Sequence, residues 1–222
     1  MRLLLTTAFP LLFANSMIFL KGWIDTIMVG AFLDETAVGV YDIAFKLAAL
    51  IIIPLGAVNS IAAPKFAELR QDRMRLQRFI GYATTAAALC AAPLFLLLVA
   101  APGFVLGLFG PEYVQGATAL RIIAAGMLAS ALAGSVGVFL QMTGRQVAYQ
   151  VISFIVVVAS IALSYVLIPR FGINGAAVAT SASLILFNVA AVAYVWVTER
   201  IATVWTPGLL RSVWFSEPEV SP

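Results

Sequence analysis

The chain has 222 residues, of which 63% are apolar and only 10% charged, with a mean hydropathy of +1.04. A soluble domain carries about 25% charged residues, so a soluble fold is excluded. The net charge of +3 lies mostly in segments beside apolar runs, which marks membrane orientation and argues against a nucleic-acid partner.

Alternating patterns of about ten residues, the mark of a transmembrane barrel, are missing, so the spans are helices. The sequence predicts an all-α, polytopic membrane helical bundle of about six transmembrane helices within residues 1–200. The spans fall at roughly 5–30, 37–61, 79–101, 117–140, 148–168 and 174–197, each near the 20 residues a bilayer requires. Residues 201–222 read as a cytoplasmic, partly disordered tail. The first apolar run extends past the 7–15 residues of a signal-peptide core and lacks a clean cleavage site, so it counts as a span.

Span one contains Asn15, then Lys21 and Asp25 one helical turn apart, and an acidic turn (Asp34, Glu35) follows it. Span two opens with Asp42 and Lys46, again one turn apart. Pro54 and Pro93 lie inside spans two and three, where neighbouring helices can satisfy the freed carbonyls. Between these spans, the stretch 62–78 places Phe66, Leu69, Leu76 and Ile80 at helical spacing among Lys65, Arg70, Arg73, Arg75 and Arg78. That pattern predicts an amphipathic helix at the lipid interface. Span four carries Arg121 near its start and small residues (Gly126, Ser130, Gly134) on one face, a signal for close helix packing. Asn59 and Asn188 fit interhelical hydrogen bonds.

Nine cations, from Arg2 through the 62–78 stretch to Arg145, Arg200 and Arg211, collect on one side. The other side has Arg170 with Asp34, Glu35 and Glu112. The positive-inside rule therefore places both termini in the cytoplasm.

Three stretches carry a family resemblance: WIDTIMVGAFLDETAVGVYDIAFKL (Trp23–Leu47), LFGPEYVQGA (Leu108–Ala117) and IPRFGINGAAVAT (Ile168–Thr180). They resemble the C-terminal half of bacterial polysaccharide-biosynthesis membrane proteins. These are the oligosaccharide flippases of the multidrug/oligosaccharidyl-lipid/polysaccharide exporter superfamily, related to multidrug and toxin (MATE) extruders. The resemblance implies one half of a MATE-like flippase fold, in which two helical bundles flank a central cavity. It also implies transport of lipid-linked oligosaccharides across the bacterial inner membrane, with membrane lipid as surroundings. The missing partner would be an N-terminal half-bundle or a second copy of the chain in a homodimer.

Charges within spans each cost several kcal/mol, so they are usually paired and often functional. From the helical rise, Asp25 and Asp42 lie roughly 6–8 Å below the outer edge, and Lys21 and Lys46 roughly 12–14 Å below it. Arg121 sits at similar depth. Two readings stay open. In one, the quartet is a salt-bridged clasp and Arg121 snorkels to headgroups. In the other, Lys21, Lys46, Arg121 and Asn15 line a wet face that attracts a pyrophosphate or acidic sugar. Asp25 and Asp42 would then hold the cations or bind a coupling H⁺ or Na⁺. No cofactor is expected.

The absence of histidine removes imidazole relays and most transition-metal chemistry. No G-x-x-x-x-G-K-[ST] phosphate loop is present. With the outer-loop acids scattered as well, an enzyme is disfavoured. A secondary transporter driven by an ion gradient fits best. The alternatives are half of a multidrug extruder, which would want a more acidic pocket, and a truncated, non-transporting membrane subunit.

Overall fold

The computed structural model describes residues 23–201 and 203, apart from the Arg70 side chain. Asn15, Lys21 and the earlier part of span one lie outside the described residues, as does nearly all of the tail. No strand occurs among the described residues. Helix α1 (Trp23–Phe32) ends span one. Asp34 then accepts the Ala37 amide at 2.9 Å, capping α2 (Glu35–Ala49). A 3₁₀ turn, Leu50–Ile52, precedes α3 (Ile53–Glu68), with Pro54 in its first turn, where the missing amide is harmless. Span two is thus one 34-residue path with a joint in the middle.

Asp72 accepts the Arg75 amide at 3.1 Å and caps α4 (Arg73–Ala100), which runs through Pro93 without a break. The short helix α5 (Pro102–Gly107) and a 3₁₀ stretch (Pro111–Gly116) lead into α6 (Ala117–Ala133). Gly134, at φ 72, ends α6, and α7 (Val136–Met142) completes span four. The predicted fourth span is therefore a broken helix.

Helix α8 (Gln146–Glu199) has 54 residues. Straight, it would measure about 81 Å, far more than the ~30 Å of bilayer hydrocarbon. Gly172 (φ 58, ψ −137) interrupts it, and the contacts show a reversal there. Arg145 bonds Glu199 at 2.9 Å, and the Tyr149 and Phe187 rings pack edge-on with centroids 5.6 Å apart. Both pairs straddle the Gly172 turn, so the helix comprises two antiparallel limbs, the predicted spans five and six. A Cβ on Gly175 would overlap the Leu167 carbonyl, so only glycine lets the limbs meet this closely.

The buried residues form two clusters stacked along the bundle. One contains Tyr41, Ile51, Leu98, Leu106, Leu120, Ile123 and Ile168, towards the end bearing Asp34 and the Gly172 turn. The other, towards the arginine-rich end, contains Phe66, Leu76, Ile80, Phe139, Leu140 and Val195. In the first, the small face of α6 meets the second limb of α8, where Ser181 Cα lies 2.9 Å from the position of a Cβ on Gly126. Ser181 Oγ donates to the Ile122 carbonyl across this contact at 2.8 Å. Asn188 Nδ2 donates to Ser130 Oγ at 2.9 Å and so joins spans six and four.

One expectation is corrected. The 62–78 stretch does not form a separate interfacial helix. Its apolar residues Phe66, Leu76 and Ile80 are buried, and it is the turn of the α3–α4 hairpin, set by the Asp72 cap. At the start of the tail, Ile201 and Thr203 are buried.

Gly175→Ala is expected to lower the thermal-unfolding midpoint in detergent sharply, since overpacking typically costs about 1–3 kcal/mol and here the obstacle is backbone. Gly56→Ala, with nothing within 4 Å of the added methyl, should leave it unchanged or raise it slightly. Equal midpoints for the two variants would contradict the hairpin.

Candidate functional site

Asp25 lies in α1, two turns inside the Asp34 cap, and is partly buried among apolar neighbours. Two hydroxyls from the two limbs of α8 reach it. Thr180 Oγ1 donates to Asp25 Oδ2 at 2.8 Å, and Ser160 Oγ approaches Oδ1 at 3.4 Å. The reversal at Gly172 is what brings residues 20 apart in sequence (180 − 160) to one carboxylate. Behind Thr180 stands Tyr41 of α2, which is completely buried, its hydroxyl 2.6 Å from Thr180 Oγ1. A hydroxyl has one proton to give. With that of Thr180 committed to the carboxylate, Tyr41 is the donor in this pair. The chain of donors therefore runs Tyr41 to Thr180 to Asp25 and joins α2, the second limb of α8, and α1.

Asp25, Ser160 and Thr180 border a cavity of about 230 Å³. Its remaining wall is mostly apolar, with Phe45, Ile52, Met127 and Val157 among the lining side chains. At about 30 Å³ per water, the space suits several waters or an ion with part of its hydration shell. It is too small for an oligosaccharide. Ser183 also borders it, but its hydroxyl donates to the Ala179 carbonyl one turn back, at 2.7 Å.

Asp42, Lys46 and Arg121 lie elsewhere. Lys46 Nζ and Asp42 Oδ2 form the expected one-turn pair at 2.6 Å, with 68% and 34% of the respective side chains exposed. They occupy the flank of α2 away from the inward-facing Tyr41. Arg121 is exposed, and its Nε donates to the Val99 carbonyl at 3.1 Å, in the last turn of α4. There it meets the negative end of that helix dipole. Among the described residues, Asp25 takes hydroxyls from α8, Asp42 and Lys46 pair on α2, and Arg121 caps α4, while Lys21 and Asn15 lie outside the described residues. On α2, one residue of separation rotates Asp42 by about 100° from Tyr41.

Sequence reasoning missed Tyr41, Ser160 and Thr180. Two of them were nevertheless inside the stretches singled out, Tyr41 in Trp23–Leu47 and Thr180 at the end of Ile168–Thr180. Their meeting explains why these stretches go together. Among the described residues no cluster of three or more His, Cys, Asp or Glu side chains could hold a metal ion.

Residues 1–118 match the model of a family described as "Polysaccharide biosynthesis protein". The chain is 27% identical over 175 residues to the probable flippase AglR of Haloferax volcanii, which covers 77% of this chain and 37% of that protein. It is also 27% identical over 164 residues to the probable low-salt glycan biosynthesis flippase Agl15 of the same organism, covering 72% of this chain and 35% of that one. The teichuronic acid biosynthesis protein TuaB of Bacillus subtilis is 25% identical over 103 residues, 46% of this chain and 21% of the relative. The match thus spans little more than a third of the length of the first two relatives. No solved structure matches.

If the donor chain holds the helices together, Thr180→Val should destabilise the bundle by about 1–3 kcal/mol, because it strands both a carboxylate and a phenol. Tyr41→Phe, which removes only the terminal donor, should cost about 0.5–1.5 kcal/mol. Unfolding in mixed detergent measures both, and a larger loss from Tyr41→Phe would refute the direction of the chain.

Proposed function

The chain belongs to the polysaccharide biosynthesis protein family, and from that premise we propose that its helical bundle forms one half of a flippase for lipid-linked oligosaccharides. The transporter works in the bacterial inner membrane with both termini of this chain in the cytoplasm, and an ion gradient drives it. Its second half is an N-terminal bundle or another copy of the chain. The names of the two Haloferax relatives, both probable flippases, support the class of transport.

The observation that carries this reading is the Asp25 carboxylate at a cavity inside an apolar bundle, served by hydroxyls from the two limbs of α8. A charge in that position is expensive unless it has work to do. Its described hydroxyl partners, Ser160 and Thr180, are oxygen atoms, which suits either a proton or Na⁺ as the coupling ion. Binding there alters the links among α1, α2 and α8 together, so occupancy and helix arrangement are coupled.

The glycan carrier takes another route, since the cavity cannot hold it. The Asp42–Lys46 pair lies inside a span with Lys46 largely exposed, which requires a wet surface or a partner surface at that depth. Lys46 provides positive charge for the pyrophosphate, and the reading adds Lys21 and Asn15 of the predicted first span, which lie outside the described residues. Asp42 holds Lys46 in place. Arg121, bonded to the end of α4, contributes at the outer rim.

Export of surface glycan by the full-length protein tests both parts. Lys46→Ala is expected to lower export at least tenfold at unchanged protein level, with partial recovery in Lys46→Arg. Asp25→Asn should make residual export insensitive to collapse of the proton or sodium gradient. Wild-type export in Lys46→Ala and Asp25→Asn alike would sink the proposal.

A further inference from the structure

The link between α4 and α6 is apolar for a segment that joins two spans. Residues 101–109 (APGFVLGLF) carry no charge and no side-chain hydrogen-bonding group. Helix α5 buries Pro102 and Leu106, the latter in the core that holds Ile51 and Leu120. Its other face is apolar too. Among the described residues, Phe104, Leu108 and Phe109 stand 69%, 71% and 51% exposed.

These side chains are held outward. Cβ atoms on Gly103 and Gly107 would lie 3.7 and 3.8 Å from Val114, so α5 rests along the 3₁₀ stretch that follows it. Gly110, at φ 143, makes the turn between the two, in a region open to glycine and closed to most other residues. Gly116 then abuts α2, where Val40 Cγ1 lies 2.8 Å from the position of an added Cβ. With Leu106 in the core and Gly116 against α2, the link is clamped at two points and cannot roll Phe104 and Leu108 inward.

Its level in the bilayer follows from α4. Arg78 is exposed near the arginine-rich start of that helix, and the Arg121 guanidinium is held at the Val99 carbonyl in its last turn. These levels are 21 residues apart (99 − 78), about 32 Å along the axis and close to the ~30 Å of bilayer hydrocarbon. Exposed cations settle at the two edges of the hydrocarbon, where phosphate and water begin. Val99 therefore marks one edge, and α5 starts three residues beyond it. Phe32, at the end of α1, and Phe171, beside the Gly172 turn, add exposed aromatic rings at the same end of the bundle. A six-residue helix is about 9 Å long and cannot cross a membrane. A patch without polar groups also gives a protein partner no rim to recognise. The boundary between headgroups and acyl chains takes such a face directly.

We infer that α5 and the turn after it form an in-plane lipid anchor at the end of the bundle opposite the arginine-rich one. Phe104, Leu108 and Phe109 insert among the acyl chains of the nearer leaflet, just beneath the headgroups. The anchor is independent of the transport reading and of which side of the membrane this end faces.

Spin labelling of the full chain in nanodiscs of phosphatidylethanolamine and phosphatidylglycerol tests it, with the one cysteine, Cys90, replaced by serine. Phe104→Cys, Leu108→Cys and Gln115→Cys are labelled singly. Collision rates are then measured with oxygen, which partitions into lipid, and with a water-soluble nickel chelate. The oxygen-to-nickel ratio should be at least about fivefold higher at Phe104 and Leu108 than at Gln115, an exposed polar residue of the 3₁₀ stretch. Phe109→Cys, outside α5, repeats the reading without altering the helix and should show the same excess. Ratios equal to that at Gln115 would put the face in water and overturn the anchor. Low collision rates with both reagents would mean that protein covers the face, and overturn it equally.

Discussion

A carboxylate within an apolar bundle has lost most of its water, and at low dielectric it must recover that solvation from fixed dipoles. Asp25 does so through Thr180 at 2.8 Å and, less closely, through Ser160 at 3.4 Å. These donors sit on opposite limbs of α8, so the arrangement exists only because the helix reverses at Gly172. Tyr41 then extends the chain of donors to α2. One charge thereby fixes the relative placement of three elements that share few other polar links. Small residues permit the close packing around it, with Gly126 against Ser181 and Gly175 against Leu167.

The bundle is built in two tiers. The tier nearer Asp34 and the Gly172 turn is dense in Ala, Ile and Leu and surrounds the Asp25 network. The tier at the arginine-rich end is more aromatic, with Phe66 edge-on to Phe79 and Phe139 at centroid distances of 5.9 and 5.7 Å. Between the tiers lie the irregular joints: the 3₁₀ turn at Leu50–Ile52 in span two and the break at Gly134 in span four. Both joints lie where the two packed cores meet, whereas α4 runs unbroken through both, contributing Leu76 and Ile80 to one and Ala91 and Leu98 to the other.

Polar groups within the bundle divide by what they can reach. Asn188 and Ser181 bond across to neighbouring helices and act as interhelical glue. Ser183, Thr198 and Ser60 commit their one hydroxyl proton to their own helix four residues earlier. Asp25 and the Asp42–Lys46 pair are different, because each places formal charge where lipid or protein alone gives no adequate solvation.

Composition alone settled that this is an all-helical membrane chain, since 63% apolar residues and the scarcity of charge leave no other way to satisfy the backbone. Spacing settled the local features: the acidic turn at Asp34 and Glu35, the one-turn Asp42–Lys46 pair and the small face of α6, all of which follow from contacts within a few residues. The partners of Asp25 could not be read in advance, because Ser160 and Thr180 are ordinary hydroxyl residues until the Gly172 reversal sets them side by side. Nor did spacing reveal that Arg121 would turn to Val99, or that Ile201 and Thr203 would fold back on Gly134 and Thr84. These pairings join residues between 22 and 155 positions apart, and only the packing of the helices decides which faces meet.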